Sequence, residues 1–148
     1  GRQRDSLWAA RRAALSSLAR VKPSTILEDA TIPRSKIVEL VEAVNRVAEK
    51  YGLRIGTFDH AGDGNLHPTI LTDLRIEKEA EKVEKAVEEI FEETVKLGGT
   101  LSGEHGIGIT KAKYLKMEVQ PEAFELMKRV KKAFDPNNIL NPGKMSFE

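Results

Sequence analysis

Hydrophobic residues recur at intervals of three and four along two long stretches of the chain. In the first stretch, which begins at Pro33, the apolar positions are Ile37, Leu40, Val41, Val44, Val47 and Ala48. The second stretch covers residues 76–97 and carries Glu and Lys on its polar side. This period is typical of amphipathic helices, and Gly52 and Gly98 predict where the two helices end.

Three further segments also show helical patterns. Residues 6–20 combine apolar positions with arginines and predict an amphipathic helix that stops before Pro23. Residues 111–117 predict one or two helical turns. A last helix is predicted to begin at Pro121, and we expect its bulky apolar side chains to point into the core; these are Phe124, Met127, Val130 and Phe134.

Four short segments predict strands between these helices. The segments are 26–32, 53–59, 66–71 and 100–102, and the middle two flank a glycine-rich turn. Over residues 25–102 the elements therefore follow the order strand, helix, strand, strand, helix, strand. This order is typical of a ferredoxin-like α+β fold, in which helices cover an antiparallel sheet. We predict that fold as one domain, with a helical segment at its C-terminal end.

Composition excludes several classes of protein. The chain has 148 residues, a net charge of +1 and no cysteine. A charge so close to zero gives no general attraction for nucleic acid, and the absence of cysteine excludes disulfides and thiolate metal sites. No apolar run reaches the roughly 18 residues that a membrane-spanning helix needs. We therefore expect a cytoplasmic protein, either free or at the periphery of a membrane, without a transmembrane segment or a nucleic-acid partner.

The three histidines of the chain lie in two short glycine-rich segments. His60 and His67 flank the turn Ala-Gly-Asp-Gly-Asn-Leu, and the strands on either side predict a hairpin that brings the two imidazoles together. Two neutral imidazoles and a carboxylate are the ligands of many open catalytic metal sites. An ordinary hairpin turn is the alternative explanation, because Asp63-Gly64 is itself a strong turn signal. The two interpretations do not exclude one another.

The second segment places a carboxylate and an imidazole on adjacent residues, Glu104 and His105. Adjacent side chains of an extended chain point in opposite directions, but the glycines at 103, 106 and 108 allow the backbone to turn so that both face one site. In that arrangement one residue binds a metal and the other faces the substrate, and an imidazole suits proton transfer near neutral pH. A loop leading into a helix is the alternative explanation of these glycines.

Other acidic and basic residues leave alternatives open. Asp59 or Asp63 offers a further carboxylate that either binds the metal or orients an imidazole. Arg11 and Arg12 lie on one predicted helix, where solvation of the guanidinium is the simpler explanation. An arginine is nevertheless the side chain that binds a substrate carboxylate through two hydrogen bonds.

Three motifs stand out when the two segments are taken with the end of the chain. They are His-Ala-Gly-Asp-Gly-Asn-Leu-His-Pro at 60–68, Ser-Gly-Glu-His-Gly-Ile-Gly at 102–108 and Asn-Pro-Gly-Lys at 141–144. In this order they resemble the C-terminal domain of the FAD-linked 2-hydroxyacid oxidases and dehydrogenases, in the vanillyl-alcohol oxidase superfamily. That family includes the glycolate oxidase D subunit, D-lactate dehydrogenase and D-2-hydroxyglutarate dehydrogenase. The similarity extends over nearly the whole chain, including Trp8–Arg12 and Glu28–Pro33.

The resemblance implies a role for each histidine. His60, His67 and Glu104 match residues that hold a divalent metal, usually zinc, which acidifies the substrate hydroxyl as a Lewis acid. His105 matches the general base that removes the hydroxyl proton while a hydride passes to FAD. The implied reaction is the oxidation of a small D-2-hydroxy acid to the 2-keto acid.

The resemblance also implies contacts with the substrate and the flavin. Arg11 matches an arginine that pairs with a substrate carboxylate, and Asn65, Asn141 and Lys144 are expected to bind the flavin cofactor. Relatives specific for dicarboxylates carry a threonine one turn after that arginine, where this chain has Leu15. This difference favours a small monocarboxylate such as glycolate or D-lactate.

The FAD-binding domain of the family precedes this region, and none of its sequence is present in residues 1–148. We therefore expect a partial cap domain that binds metal and substrate. It should not turn over without a flavin domain, which lies either on the same polypeptide or on a separate chain. Any surface that the flavin domain normally covers is then available for self-association.

Two other functions are compatible with the same residues. The three ligands together with a bound water would suit a metal-assisted hydrolase. A non-catalytic module that binds a metal or another protein would also be consistent with the chain. Reduction of a dye by D-lactate or glycolate, with the flavin domain supplied, distinguishes the oxidoreductase from both.

Overall fold

Helices and short strands alternate along the chain. The computed structural model describes residues 1–145 and 147, apart from the side chains of Arg2 and Asp59. In chain order the elements are α1 (Arg2–Leu18), β1 (Ser24–Leu27), β2 (Ala30–Thr31), α2 (Ile37–Tyr51), β3 (Arg54–His60), β4 (Asn65–Thr72), α3 (Glu77–Lys96) and α4 (Pro121–Phe134), with short 3-10 helices at Arg34–Lys36 and Ala112–Met117.

The sheet is built around β4, which is buried along its whole length. β4 pairs antiparallel with β3 on one side and with β1 and β2 on the other. Beyond β2, Thr100 forms a single antiparallel bridge with Thr31. The spatial order is therefore Thr100, then β1 with β2, then β4, then β3. This is the order of a ferredoxin-like sheet, and the predicted α+β class is confirmed.

The fourth predicted strand, 100–102, is reduced to the bridge at Thr100. The next backbone groups have other partners. The Leu101 N–H donates to a carboxylate oxygen of Glu118 at 2.9 Å, and the Leu101 carbonyl accepts from the ammonium of Lys111 at 2.7 Å. Both backbone groups of Leu101 therefore bond to side chains rather than to a neighbouring strand, and the ladder does not continue past Thr100. The prediction of a strand over 100–102 is wrong beyond its first residue.

The predicted strand over 26–32 is divided into β1 and β2, with Glu28 and Asp29 between them. The register is the same on both sides of the break, and it places Glu28 opposite Pro68. The Glu28 N–H still donates to the Pro68 carbonyl at 2.9 Å. Proline has no N–H to return, so only one of the two hydrogen bonds of this pair can form. The missing N–H of Pro68 therefore interrupts the ladder at Glu28.

Helices α2 and α3 pack together and against the sheet, as the hydrophobic period predicts. Their apolar faces are buried in one core with β4, and the largest fully buried side chains of this core include Leu40, Val44, Leu66, Ile70, Ile90 and Phe91. Both helices end within a few residues of the predicted glycines. At Gly52 the backbone has φ 63°, the left-handed conformation that commonly closes a helix.

Helices α1 and α4 form where the pattern predicts them, but the described core contains none of their residues. α4, all of which is described, has no buried residue, and its Val130 and Phe134 are 50% and 83% exposed. The expectation that Phe124, Met127, Val130 and Phe134 point into the core is therefore wrong. Since α2 and α3 already fill the core side of the sheet, the apolar face of α4 remains on the surface.

Replacing Val44 by Ala tests the core formed by α2. Val44 is 1% exposed, so we expect the loss of two carbon atoms to lower the free energy of unfolding by about 2 kcal/mol. Val38 lies on the same helix but is 67% exposed, so Val38→Ala is the matched control, with an expected change below about 0.5 kcal/mol. Urea unfolding measures both variants. Equal losses would contradict the burial of this face of α2.

Candidate metal and substrate site

Two imidazoles meet at the turn between β3 and β4. His60 is the last residue of β3, and His67 lies near the start of β4. Their rings stand edge to face, with centroids 5.5 Å apart. His67 is buried, whereas the His60 side chain is about half exposed. The hairpin therefore brings together two residues that the turn separates in sequence.

The turn between the histidines is held close to the end of β2. Gly64 has φ 75°, and a Cβ atom at this position would lie 2.1 Å from the carbonyl oxygen of Ile32. The Gly64 carbonyl accepts the N–H of Ile32 at 3.0 Å. Only glycine allows this approach, so Gly64 has a steric role in addition to forming the turn.

The ring of His67 is oriented by the gap in the sheet ladder. Since Pro68 cannot donate a hydrogen bond to Glu28, the Glu28 carbonyl is free, and it lies 3.1 Å from Nδ1 of His67. A carbonyl oxygen can only accept, so Nδ1 carries the proton. In a neutral imidazole the other nitrogen, Nε2, then carries the lone pair, and this nitrogen faces the site.

The carboxylate of Glu104 reaches the same point from the loop that follows Thr100. Its Oε1 lies 3.1 Å from Nε2 of His67 and 3.7 Å from Nε2 of His60. One ligand atom from each of the three residues lies within 4.8 Å of the others. The structure thus brings together the three predicted metal ligands, which come from two separate segments of the chain.

His105 lies beside this cluster. Its ring stacks on that of His67, with centroids 5.3 Å apart and an interplanar angle of 19°. Nε2 of His105 is 3.9 Å from Oε1 of Glu104, while Nδ1 is 4.0 Å from Oδ2 of Asp29. The turn in the glycine-rich backbone therefore presents both Glu104 and His105 to one site, although they are adjacent in sequence.

The turn at 102–106 folds around the buried carboxylate of Asp29. Oδ2 of Asp29 accepts a hydrogen bond from the Ser102 hydroxyl at 2.7 Å. The same oxygen accepts the backbone N–H groups of Glu104 at 3.0 Å and of His105 at 2.8 Å. Burial alone would raise the pKa of Asp29, but these hydrogen bonds outweigh it and hold the pKa well below its usual range. The loop therefore binds a permanent negative charge.

A buried lysine completes this polar cluster. The Lys111 ammonium donates to the carbonyl groups of Leu101 at 2.7 Å and of Asp29 at 3.3 Å. It also lies 3.9 Å from the carboxylates of Glu28 and Asp29. Burial lowers the pKa of Lys111 and raises the pKa of Glu28, while the attraction between their charges opposes both shifts.

Asp29 and Lys111 are not among the site residues predicted from the sequence. The available signal is the pair Glu28-Asp29 inside an otherwise apolar predicted strand. Charged residues are rarely buried unless they have partners. Two consecutive carboxylates at such a position therefore indicate a polar cluster in the interior.

The contacts of His67 suit a bound cation. Both of its ring nitrogens face oxygen atoms that only accept, the Glu28 carbonyl at Nδ1 and the Glu104 carboxylate at Nε2. A neutral imidazole has one N–H and can satisfy only one of them. Either a second ring proton or a divalent cation held by Nε2 and the carboxylate would satisfy the other contact. Two imidazole nitrogens and a carboxylate oxygen form a donor set that zinc accepts.

Arg11 and Asn65 occupy very different surroundings. Arg11 is exposed on α1. Asn65 is 6% exposed and pairs across the sheet with Thr31, and both of these side chains lie against Gly103. A Cβ atom at Gly103 would lie 2.1 Å from Oγ1 of Thr31 and 2.9 Å from Nδ2 of Asn65. The roles of Arg11 in substrate binding and of Asn65 in cofactor binding stay predictions.

The C-terminal tail is attached to the loop that carries Glu104. Asn141 and Lys144 are exposed in this tail. The N–H of Met145 donates to the carbonyl of Gly108 at 2.7 Å, so the tail runs beside the loop. Binding of the flavin by Asn141 and Lys144 stays a prediction.

The two alternative acidic ligands differ from Glu104 in position. Asp63 is exposed in the turn, where its N–H donates to the His60 carbonyl at 2.8 Å. Among the described residues, the side chains that could hold a metal form two groups, His60 with His67 and Glu104, and Asp29 with His67 and His105. Asp63 belongs to neither group. The side chain of Asp59 lies outside the described part of the chain.

Replacing Gly103 by Ala tests how the loop is supported. The added methyl group would overlap Thr31, so the loop must move away from the sheet and carry Glu104 with it. We expect the dissociation constant for zinc to rise about tenfold or more. Gly62→Ala is the matched control, because nothing lies within 4 Å of a Cβ atom at that position. Equilibrium dialysis measures both, and equal zinc affinity would contradict the tight contact at Gly103.

Comparison with known proteins identifies the family. Residues 1–145 match the family model described as FAD linked oxidases, C-terminal domain. The glycolate oxidase subunit GlcD of Bacillus subtilis is 60% identical over 140 residues, which are 95% of this chain and 30% of that protein. GlcD of Escherichia coli K12 is 38% identical over 142 residues, 96% of this chain and 28% of that protein.

A dehydrogenase shows the same similarity. The D-lactate dehydrogenase of Archaeoglobus fulgidus is 46% identical over 117 residues, which are 79% of this chain and 26% of that protein. The chain spans less than a third of the length of these relatives. Because the family match covers nearly every residue, the chain belongs to the FAD-linked oxidases and corresponds to their C-terminal domain.

Proposed function

We propose that this chain is the substrate- and metal-binding domain of a flavin-dependent enzyme that oxidises a small D-2-hydroxy acid, of the glycolate or D-lactate type, to the 2-keto acid. The observation that carries the proposal is the convergence of His60, His67 and Glu104 beside His105. Membership of the family and the names of the relatives support the class of reaction. In this proposal an FAD-binding domain, on the same polypeptide or on a separate chain, completes the active site.

His60, His67 and Glu104 are the residues that would hold a divalent metal, with zinc as the first choice. When bound, the metal acts as a Lewis acid toward the hydroxyl and carboxylate oxygens of the substrate. The side chains of His60 and Glu104 are 46% and 50% exposed, which leaves one side of the cluster open to a substrate. His67, with its proton held on Nδ1, needs no change of tautomer to bind.

His105 is the proposed general base. Its Nε2 lies 3.9 Å from Oε1 of Glu104, so a hydroxyl group held next to that carboxylate is within reach of the imidazole. The imidazole takes the hydroxyl proton as the C–H bond at C2 breaks, and the carbon is left as a carbonyl. When bound, FAD accepts the hydride that leaves C2.

Arg11 and Leu15 are the proposed specificity residues. They lie one turn apart on α1, and both are exposed. The guanidinium of Arg11 would bind the substrate carboxylate through two hydrogen bonds. The apolar side chain of Leu15 offers no partner to a second carboxylate, which supports a monocarboxylate substrate.

The proposed contacts with the flavin and its domain involve the tail and the exposed helices. Asn65, Asn141 and Lys144 are the proposed cofactor-binding residues. Most of the large apolar residues of α1 and α4 are exposed, with Trp8 at 52%, and a flavin domain or a second copy of the chain would cover them. Both contacts are part of the proposal.

The location of the protein is also proposed. In the part of the chain that the structure describes, every helix is too short or too polar to cross a lipid bilayer. We propose a cytoplasmic location, either free or at the periphery of a membrane in the intact enzyme. The near-neutral charge supports the proposal that nucleic acid is not a partner.

Replacing His105 by Ala tests the general base. In the complete enzyme, with the flavin domain present, we expect kcat for D-lactate or glycolate to fall by about 10²- to 10⁴-fold. The zinc content should not change, because the three ligands are kept. Reduction of an artificial dye measures turnover, and elemental analysis measures zinc. Wild-type turnover by this variant would refute the role of His105, and hydrolysis of an ester without flavin would favour the metal-assisted hydrolase.

Comparing His60 with its neighbour Asp63 tests the ligand set. Because His60 supplies one of three ligands, His60→Ala should raise the zinc dissociation constant about tenfold or more, and turnover should be lost at limiting zinc. Asp63→Asn changes an exposed side chain of the same turn and should alter the constant by less than about twofold. Equilibrium dialysis in buffered zinc gives both values. A larger loss of zinc affinity in Asp63→Asn than in His60→Ala would identify Asp63 as the ligand instead.

A further inference from the structure

We propose that Asp29 is a positioning residue that fixes the imidazole of His105 relative to the carboxylate of Glu104. This role rests on the proposed function, in which His105 is the base and Glu104 a metal ligand. In this role Asp29 is not one of the proposed metal ligands, since its Oδ2 already accepts three hydrogen bonds from the loop. It acts through the loop that carries the other two residues.

One oxygen atom of Asp29 holds the loop. The N–H groups of Glu104 and His105 both donate to Oδ2, at 3.0 and 2.8 Å, so the two consecutive residues share one acceptor. The hydroxyl of Ser102 donates to the same oxygen at 2.7 Å and accepts the N–H of Gly106 at 2.7 Å. Hydrogen bonds to a carboxylate are stronger than those between neutral groups. The backbone from 102 to 106 is thus attached at several points to one buried atom.

Asp29 is itself fixed by the sheet. It is 0% exposed, and the register places it opposite His67. Lys111 donates to its backbone carbonyl at 3.3 Å and lies 3.9 Å from its carboxylate. The preceding residue, Glu28, orients His67 through its carbonyl at 3.1 Å. A segment of two residues therefore supports both sides of the ligand cluster.

The carboxylate of Asp29 also lies beside the ring of His105. Oδ2 is 4.0 Å from Nδ1, which is too long for a hydrogen bond, and Nε2 of the same ring is 3.9 Å from Oε1 of Glu104. The imidazole therefore lies between the two carboxylates, and its position follows that of the backbone that Asp29 holds.

Asp135 provides a comparison within the same chain. It is also buried, and its carboxylate accepts two backbone N–H groups, those of Ile139 at 3.0 Å and Leu140 at 2.9 Å. The loop that Asp135 holds contains no histidine. Asp135→Asn therefore weakens the same kind of structural anchor without touching the ligand cluster.

Asp29→Asn and Asp135→Asn are compared in the complete enzyme, with the flavin domain present. For Asp29→Asn we expect the zinc dissociation constant, from equilibrium dialysis, to rise about tenfold. At saturating zinc, KM for D-lactate should stay within about twofold of wild type while kcat falls about 10- to 100-fold, because the substrate still binds but the base is misplaced. Asp135→Asn should leave the zinc dissociation constant unchanged even where it lowers Tm.

A double-mutant cycle with His105→Ala separates positioning from a general loss of structure. If Asp29 acts through His105, Asp29→Asn should lower kcat by less than about twofold once the imidazole is absent. The same fold loss in both backgrounds, or wild-type kcat in Asp29→Asn alone, would overturn the role of Asp29. Wild-type kcat in His105→Ala alone is the distinct result that overturns the proposed function as well.

If Asp29→Asn does not fold, Ser102→Ala provides a second test of the same proposal. This variant removes one of the three donors to Oδ2 and leaves the buried carboxylate in place. We expect kcat to fall about three- to tenfold, again only when His105 is present, because the loop loses the hydrogen bond to the carboxylate and the one that Gly106 donates to Ser102. A loss of the same size in the His105→Ala background would reject the proposal.

Discussion

The sheet lacks one hydrogen bond at its centre, and the site depends on that missing bond. Because Pro68 has no N–H, the carbonyl of Glu28 is left for the imidazole of His67. Proline is generally excluded from central strands, yet Pro68 lies on β4, which has partners on both sides. The ladder loses about 1 kcal/mol of net hydrogen bonding. The carbonyl of Glu28 instead orients the buried imidazole of His67, whose Nε2 faces the ligand cluster.

The buried charges lie at the same break in the sheet, between β1 and β2. Glu28, Asp29 and Lys111 all lie in the interior, where an unpaired charge is strongly destabilising. Each carboxylate lies near the ammonium, and Asp29 also accepts three hydrogen bonds from the loop. Such groups contribute little to net stability, because desolvation offsets most of the attraction. Their effect here is geometric, since they join a glycine-rich loop to the sheet at one point.

Features that depend on local pattern could be predicted, whereas those that depend on distant partners could not. The hydrophobic period located α2 and α3, and the clustering of the histidines in two glycine-rich segments located the site. The resemblance to the family then selected Glu104 as the third ligand over Asp59 and Asp63. The break at 28–29 could not be predicted, because it requires knowing which residue faces Pro68. An amphipathic pattern shows that α4 has an apolar face but not what covers it. Asp29 was missed because sequence does not show which backbone groups a carboxylate will hold.

The hydrogen bond between Met145 and Gly108 joins the end of the chain to the loop that contains His105. It links two backbone groups, so it does not depend on the side chain at position 145. Gly106 and Gly108, which follow His105 in this loop, both have positive φ, at 78° and 55°. The C-terminal tail and the loop therefore share one attachment point three residues after His105, so a partner surface that covers the tail also lies beside this end of the loop.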